Sequence, residues 1–449
     1  MTKTRRAAAL LLAATTIIAA PAAARPLLLI SIDAMNPEYV TQAEQHGFDL
    51  PNLRRFISEG SHASGVRGVV PTITCPSHAT LVTGVSPSRH GITGNDPLVA
   101  EGFSSSMCTF AADITADTLW DAAHRAGMTS GSVGWLNTAG SRAITWNLPH
   151  VEPYQSAATV KFQAAMARPE GLLDDMQARL GSFYQASDIA GSTLRTRYAV
   201  DILQRHQPEF MLVHMVSLDA AAHANGPFTA EAKAAVEAED RLVGQLIDAA
   251  LANDPDTVVA VVSDHGQAPF TRALNLRVPL VAAGLITIKE PVPGRAVKVT
   301  DRKLDVWGQA IKLTDPGDAA TRAQVAALLH RLAADPANGI ARVIEGEEVE
   351  ALGGWPGAQF VIDMQPGTVI GGMYLGEQVT TFPTTRGHHG YLPGTPGMDA
   401  SFFIKGTGIA AGRDLGVVDM RQIAPTLARV MGVTLKDADQ PALPVAATR

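Results

Sequence analysis

The chain predicts an α/β fold with a doubly wound, mainly parallel sheet, and three observations carry that expectation. Apolar runs at LLLISI (27–32), FMLVHM (210–215) and VVAVV (258–262) are continuous, as strands buried on both faces are. Segments with helical apolar spacing lie between such runs, so strand and helix alternate. The runs end in acidic residues or lead into Asp–His pairs, at the sheet edge where open α/β folds gather ligands.

In order, the mature region opens on Arg25-Pro26 and a strand that ends in Asp33. PNLRRFISEG (51–60) has the spacing of a short amphipathic helix stopped by Gly60. At 69–95 the chain reads VVPTITCPSHATLVTGVSPSRHGITGN. Thr74 stands where a helix N-cap is expected, ahead of Cys75-Pro76-Ser77, and Pro is favoured in a first helical turn. A hydroxyl at a helix N-terminus also lies where backbone N–H groups and the helix dipole favour an anion. TADTLWDAAHRAG (115–127) predicts a helix with Thr115 at its start, and SGSVGW (130–135) a strand. Residues 136–195 are irregular in pattern and predict loops plus a helix near 170–181. After the 210–215 strand come Asp219 and His223, then an Ala-rich helix over 229–252 and a strand leading to Asp264-His265-Gly266. Residues 274–385 lose the regular alternation, with a helix at 321–334 and a short strand at 358–363, and predict an inserted subdomain. The core then resumes from 386 to 449, with SFFIKG (401–406) and a last helix at 420–432.

The chain has 449 residues, 46% hydrophobic and 18% charged, which describes a globular protein with a large core, long enough for one large α/β domain and an insertion. A net charge of −7 argues against a broad nucleic-acid-binding surface or attraction to anionic membranes. Residues 1–24 carry Lys3, Arg5 and Arg6, then an apolar run and Ala-x-Ala, the order of a secretory signal peptide cleaved after Ala24. The apolar run is shorter than the roughly 20 residues that span a bilayer, so no stable membrane insertion is expected after cleavage, and the mature protein is expected to be periplasmic or secreted. The sequence leaves open whether Cys75 and Cys108 pair, and Arg5-Arg6 alone does not decide the export route.

Asp and His recur where strands end or the core resumes: Asp33, Asp219 with His223, Asp264-His265, and His388-His389. Asp219 and His223 are four apart, so on a helical turn they share a face and can share an ion. Mixed carboxylate and imidazole ligands suit zinc. Five separated motifs, SIDAM, PTITCPSHATLVTG…HGITGN, SLDAAAH, SDHG and GHHGY, stand in the order in which they stand in the alkaline phosphatase superfamily. Within it the chain most resembles the type I phosphodiesterase/nucleotide pyrophosphatase group.

That resemblance implies an alkaline phosphatase-like three-layer α/β/α core over 25–273 and 386–449, with the 274–385 insertion as a cap-like subdomain. It implies two Zn2+ ions, one held by Asp33, Thr74, Asp264 and His265 and the other by Asp219, His223 and His389. Thr74 would be the nucleophile, and Asn95, which follows it by 21 positions, would donate to a phosphate oxygen. His388 would line the site or be merely exposed, without binding metal. Cys75, where relatives place an aromatic residue, and Trp135 would lie beside a small-molecule phosphodiester or nucleotide. A sulfatase is disfavoured, because the string Thr74-Cys75-Pro76-Ser77-His78 puts cysteine out of register and has His in place of Arg. A Thr-nucleophile phosphomonoesterase is an alternative. The Lys-Asp-Arg-Gly string of such enzymes is absent, but Arg142 could partly substitute. A further alternative is a non-catalytic periplasmic binding protein.

Overall fold

The computed structural model describes residues 25–447 apart from 97, 100–101, 104–107, 152–156, 184–185 and 290–296. The segment read as a signal peptide lies outside the described residues, among which no helix is long and apolar enough to cross a membrane.

Eight strands form the central sheet: β1 (Leu27–Ile32), β2 (Ser61–His62), β3 (Ser130–Val133), β4 (Trp146–Leu148), β5 (Phe210–Met215), β6 (Val258–Val262), β7 (Phe402–Lys405) and β8 (Arg413–Asp414). Their spatial order is β8-β2-β7-β6-β1-β5-β3-β4. All neighbours run parallel except β7, which is antiparallel to both β6 and β2.

β1 lies near the centre and shows why its run is continuously apolar. Leu28, Ile30 and Ile32 point into one core, with Leu53 and Phe56 of α1 (Pro51–Glu59), Tyr198 and Ile202 of α4 (Ile189–His206), and Val236 and Val243 of α6 (Ala230–Asn253). Leu27 and Leu29 point into the other, with Leu81 and Val82 of α2 (Thr74–Thr83), Leu119 and Trp120 of α3 (Leu119–Arg125), and Ile423 and Leu427 of α7 (Ile423–Met431). The result is a three-layer α/β/α core. Each such fully buried side chain contributes roughly 1.5–3 kcal/mol. In register, Ile32 pairs with Met215 and Ser31 with Val262, so three parallel strands end level with one another. The residues one or two positions beyond them, Asp33, the start of α5 (Ser217–Asn225) and Asp264, are thereby gathered at one edge of the sheet.

The 274–385 stretch contains its own antiparallel sheet, Leu304–Trp307, Ala310–Leu313, Phe360–Met364 and Ile340–Glu345 in that order, with the helix Ala319–Ala334. Strand Val379–His388 returns antiparallel to Ala268–Leu274, pairing His388 with Ala268, and so brings His388 and His389 back to the strand ends of the core.

The 136–195 region holds more structure than its pattern predicts, including edge strand β4 and the start of the 18-residue α4. The first half of α4, with Gly191, Ser192, Thr193 and Thr196, is poor in helix formers, and its side chains are held by tertiary packing. Helix α3 is capped by Thr118, whose hydroxyl accepts from Asp121 N–H, not started by Thr115. Thr74 likewise does not cap α2. Ile73 holds the extended N-cap position and Thr74 is the first helical residue, so its hydroxyl is not spent on the helix's own amides.

Candidate active site

The six expected metal-binding Asp and His residues meet at the end of β1, β5 and β6 as two groups. Asp33, Asp264 and His265 form one, and Asp219, His223 and His389 the other, with the ligand atoms of each group within 4.8 Å of one another. The groups touch, since the His265 and His389 rings stack with centroids 3.8 Å apart.

The first group is held by bonds that leave one face of each residue open. Asp264 Oδ1 accepts the N–H groups of Ala34 (3.1 Å) and His265 (3.0 Å), while its buried Oδ2 has no hydrogen bond. Ala34 reaches that oxygen in a left-handed conformation, φ 63°, which costs a non-glycine residue roughly 1–2 kcal/mol. Asp33 Oδ2 is 3.1 Å from His214 Nε2, and its buried Oδ1 is also without a hydrogen bond. His265 engages the Gly266 carbonyl through Nδ1 (3.2 Å), which turns Nε2 toward Asp264 Oδ2 (3.1 Å) and Asp33 Oδ1 (3.7 Å).

In the second group His223 Nδ1 meets the Gly387 carbonyl at 2.9 Å, so Nε2 faces Asp219 Oδ1 at 3.3 Å. Gly387 permits this approach, because a Cβ there would lie 2.4 Å from the Ala222 carbonyl oxygen. Gln267 Nε2 donates to Asp219 Oδ1 at 2.5 Å, and His389 Nε2 stands 4.0 Å from the same oxygen. Histidines with Nδ1 tied to a carbonyl and Nε2 presented are oriented as metal ligands are.

The electrostatics match. Burial, then the charges of Asp264 and Asp219, push the Asp33 carboxyl well above its usual range. Burial also works to raise Asp264, but His265 and His78 outweigh it and hold that carboxyl at about 2. Burial depresses His389 and His214 well below the usual imidazole range. Buried carboxylates with hydrogen-bond-free oxygens, facing imidazole Nε2 atoms, fit divalent cations of the zinc type.

Thr74 stands at the rim of the first group, its Oγ1 3.4 Å from His265 Nε2. Asn95 lies alongside, its Oδ1 accepting the Cys75 N–H at 3.1 Å, so the carboxamide presents Nδ2. A cavity of about 360 Å³ opens here, lined by Ile73, Asn95, His388, His389, Trp307 and Trp355 among others. Gly94 lets the Trp307 indole close in on the Asn95 turn, since a Cβ there would be 2.7 Å from Nε1.

Two expected neighbours of the substrate are elsewhere. Cys75 is fully buried and disulfide-bonded to Cys108, with Cα atoms 5.3 Å apart, so its side chain packs with Ala79, Ile92 and Leu136 and not along the cavity. Trp135 is also fully buried and sits edge-on to His78, inside the core. Arg142 is exposed and is not among the residues lining the cavity.

Sequence reasoning missed the residues behind the site: His214 on Asp33, Gln267 on Asp219, and His78, whose Nδ1 meets the Thr74 carbonyl at 2.9 Å. In the sequence, Gln267 directly follows SDHG, His78 lies inside CPSHA and His214 stands three positions before SLDAAAH, but nothing local marks what each one holds.

An uncharacterized pyrophosphatase/phosphodiesterase of Schizosaccharomyces pombe is 26% identical over 248 residues, which are 54% of this chain and 45% of that protein. Ectonucleotide pyrophosphatase/phosphodiesterase family member 1 of Mus musculus is 27% identical over 54% of this chain and 24% of its own length. The matched region thus spans less than half the length of these relatives. Among solved structures, human ectonucleotide pyrophosphatase/phosphodiesterase 5 superposes with TM-score 0.62 at 17% identity, covering 92% of this chain and 97% of that one. The murine protein, an inactive threonine-to-alanine variant in complex with AMP, gives 0.64 at 18% identity with the same coverage. The sequence model of one family, type I phosphodiesterase/nucleotide pyrophosphatase, matches residues 27–392, and the chain belongs to that family.

Proposed function

We propose that the chain is an exported phosphodiesterase that cleaves a small diester or nucleotide through a covalent phospho-threonine at Thr74. The observation that carries this reading is the Thr74 hydroxyl at the rim of the Asp33–Asp264–His265 group, freed from capping its helix and flanked by the Asn95 amide.

Asp33, Asp264 and His265 with Thr74 would hold one cation, and Asp219, His223 and His389 the second. The donor set favours zinc. When bound, the cations make the threonine oxygen nucleophilic and stabilise the departing oxygen. Thr74 Oγ forms a bond to phosphorus as the bond to the leaving alcohol breaks, and its hydroxyl proton is released. Asn95 Nδ2 donates to a phosphate oxygen, on which charge grows in the transition state. Water then hydrolyses the phospho-threonine and returns the hydroxyl. His214 and the backbone amides of Ala34 and His265 keep the two carboxylates aimed throughout.

Two features favour diester over monoester. Arg277 is the single Lys or Arg among the described cavity-lining residues, and its guanidinium already donates to the Val306 carbonyl and covers the Tyr374 ring. The dianionic charge of a monoester would therefore meet little added cationic charge. Trp307, beside Asn95, offers a flat apolar face to an organic arm of the substrate, which suits an aryl or nucleoside ester and is compatible with AMP binding by the murine relative.

The test uses the purified mature chain with bis-(p-nitrophenyl) phosphate and p-nitrophenyl phosphate, before and after chelation and zinc restoration. Faster diester hydrolysis, lost with chelator and regained with zinc, is expected. Faster monoester hydrolysis would reverse the substrate class, and no turnover of either would leave a binding protein.

A further inference from the structure

We propose that Glu239 is a positioning residue that caps α5 from the neighbouring helix α6 and so sets the placement of Asp219 and His223. The inference rests on the reading of Asp219, His223 and His389 as a cation site.

Helix α5 begins abruptly after β5. Its own N-cap is Val216, which has no side-chain acceptor to offer the first-turn amides. Those amides are buried, and a buried N–H left without a partner costs roughly 1–3 kcal/mol. Glu239 supplies what Val216 lacks. Its Oε1 accepts from Ser217 N–H (2.8 Å), the Ser217 hydroxyl (2.7 Å), Leu218 N–H (3.4 Å) and the Ser192 hydroxyl of α4 (3.2 Å). Ser192 Oγ in turn accepts from Val216 N–H at 3.2 Å and lies 3.3 Å from Ser217 N.

One carboxylate oxygen thus ties three helices together at the turn that carries Asp219. Asp219 is the third residue of α5 and His223 follows one turn later, so a shift of this helix end moves both ligand atoms together. The carboxylate is fully buried, and its second oxygen has no hydrogen bond, which makes it an expensive group to bury for packing alone. A carboxylate at a helix N-terminus is also favoured by the helix dipole.

The adjacent residue provides an internal control. Asp240 is equally buried and caps a different helix, α1, through Asn52 N–H (3.1 Å) and Leu53 N–H (2.7 Å). α1 carries none of the site residues. A merely structural role for both acids predicts the same phenotype for both.

The experiment is a zinc titration of the metal-stripped protein against a chromophoric chelator, with thermal unfolding run in parallel. The parent chain is expected to take up two equivalents. Glu239→Gln keeps one oxygen acceptor but loses the charge, and should weaken one equivalent 10- to 100-fold while leaving the other unchanged. Asp240→Asn should lower the unfolding temperature and leave both equivalents at parental affinity. Ser192→Ala, which removes one partner of the same carboxylate, should weaken the same equivalent, and replaces Glu239→Gln in the test if that variant does not fold. Parental affinity for both equivalents in Glu239→Gln, or an equal loss in Asp240→Asn, overturns the inference alone. A parent chain that takes up no zinc overturns the cation-site reading and the inference with it.

Discussion

Replacing Asn95 separates its two jobs. Asn95 Oδ1 holds the Cys75 N–H at 3.1 Å, one residue from the proposed nucleophile Thr74, and in the proposed mechanism Nδ2 would be offered to the phosphate. Loss of one preorganised donor to developing charge costs about 10²–10³ in kcat, or ~2.7–4 kcal/mol. Loss of the backbone tether costs about 1 kcal/mol of stability, a typical net value for one hydrogen bond. Asn95→Ala removes both and should lower kcat by about 10²–10³ on the diester with small change in bound zinc. Asn95→Asp retains the acceptor for Cys75 N–H but turns a negative charge on the phosphate. At about 4 Å and an effective dielectric near 20, that repulsion is about 4 kcal/mol. The aspartate variant should therefore be the better folded of the two and no more active. Single-turnover and steady-state hydrolysis of bis-(p-nitrophenyl) phosphate, with zinc quantified in each preparation, measure this. An alanine variant within tenfold of the parent, or an aspartate variant faster than the alanine one, would refute the assignment of Nδ2 to the phosphate.

Further consequences can be measured on the same material. Thr74→Ala should abolish turnover and leave zinc content near parental, because the Asp and His groups lie on other elements; retained activity would remove Thr74 from its role. Trp307→Ala should raise KM for a nucleoside or aryl diester about 5- to 150-fold and leave a small alkyl diester unaffected, from a stacking contribution of ~1–3 kcal/mol; an equal effect on both substrates would place the organic arm elsewhere. His90 is fully buried and neutral by its bonds, with Nδ1 accepting Ile92 N–H (3.1 Å) and Nε2 meeting Thr80 Oγ1 (3.0 Å). Burial pushes it down to about 4, so the unfolded chain takes up a proton that the folded chain refuses. That contribution is intact above the unfolded pKa of about 6.5 and falls away as pH drops toward 4, amounting to roughly 2 kcal/mol by pH 5. Urea unfolding of the parent and His90→Gln at pH 7.5 and 5 should show the parent losing more by that amount; parallel losses would refute it.

The parts of this site that the sequence made legible are those fixed by local chemistry. Asp33 ends an apolar strand, Asp219 and His223 share one face of a helix because they are four apart, and Asp264-His265 closes another strand. Each could be placed from its neighbours alone. What failed depended on distant partners. Thr74 has the composition of a cap, but the extended backbone of Ile73 puts it one step inside the helix. Motif position alone puts Cys75 and Trp135 beside the substrate, yet a disulfide to Cys108 and packing against His78 turn both inward. Helix α4 was missed because its weak propensity is compensated by Tyr198, Ile202 and other contacts across the core. Glu239, Gln267 and His214 carry no local signature, since each acts on a residue 20 or more positions away.

The same contrast explains how an acidic chain can be built around phosphate. Arg and Lys side chains would be the direct source of positive charge, and the cavity recruits one, already committed to Val306 and Tyr374. Asp33, Asp219 and Asp264 instead converge in the interior, where burial and mutual repulsion drive the Asp33 and Asp219 carboxyls upward. Left to themselves, such groups would take up protons or spread apart. The fold resists both. Asp264 is pinned by two backbone amides, Asp33 by His214, Asp219 by Gln267, and two imidazoles are turned so that Nε2 faces the carboxylates. Holding repelling groups at fixed positions is favourable only when a cation completes them. In the proposed mechanism the negative charge that would repel a phosphodiester is thus the same charge that would retain the cations attracting it, and removing the ions should leave a folded protein that no longer binds the diester.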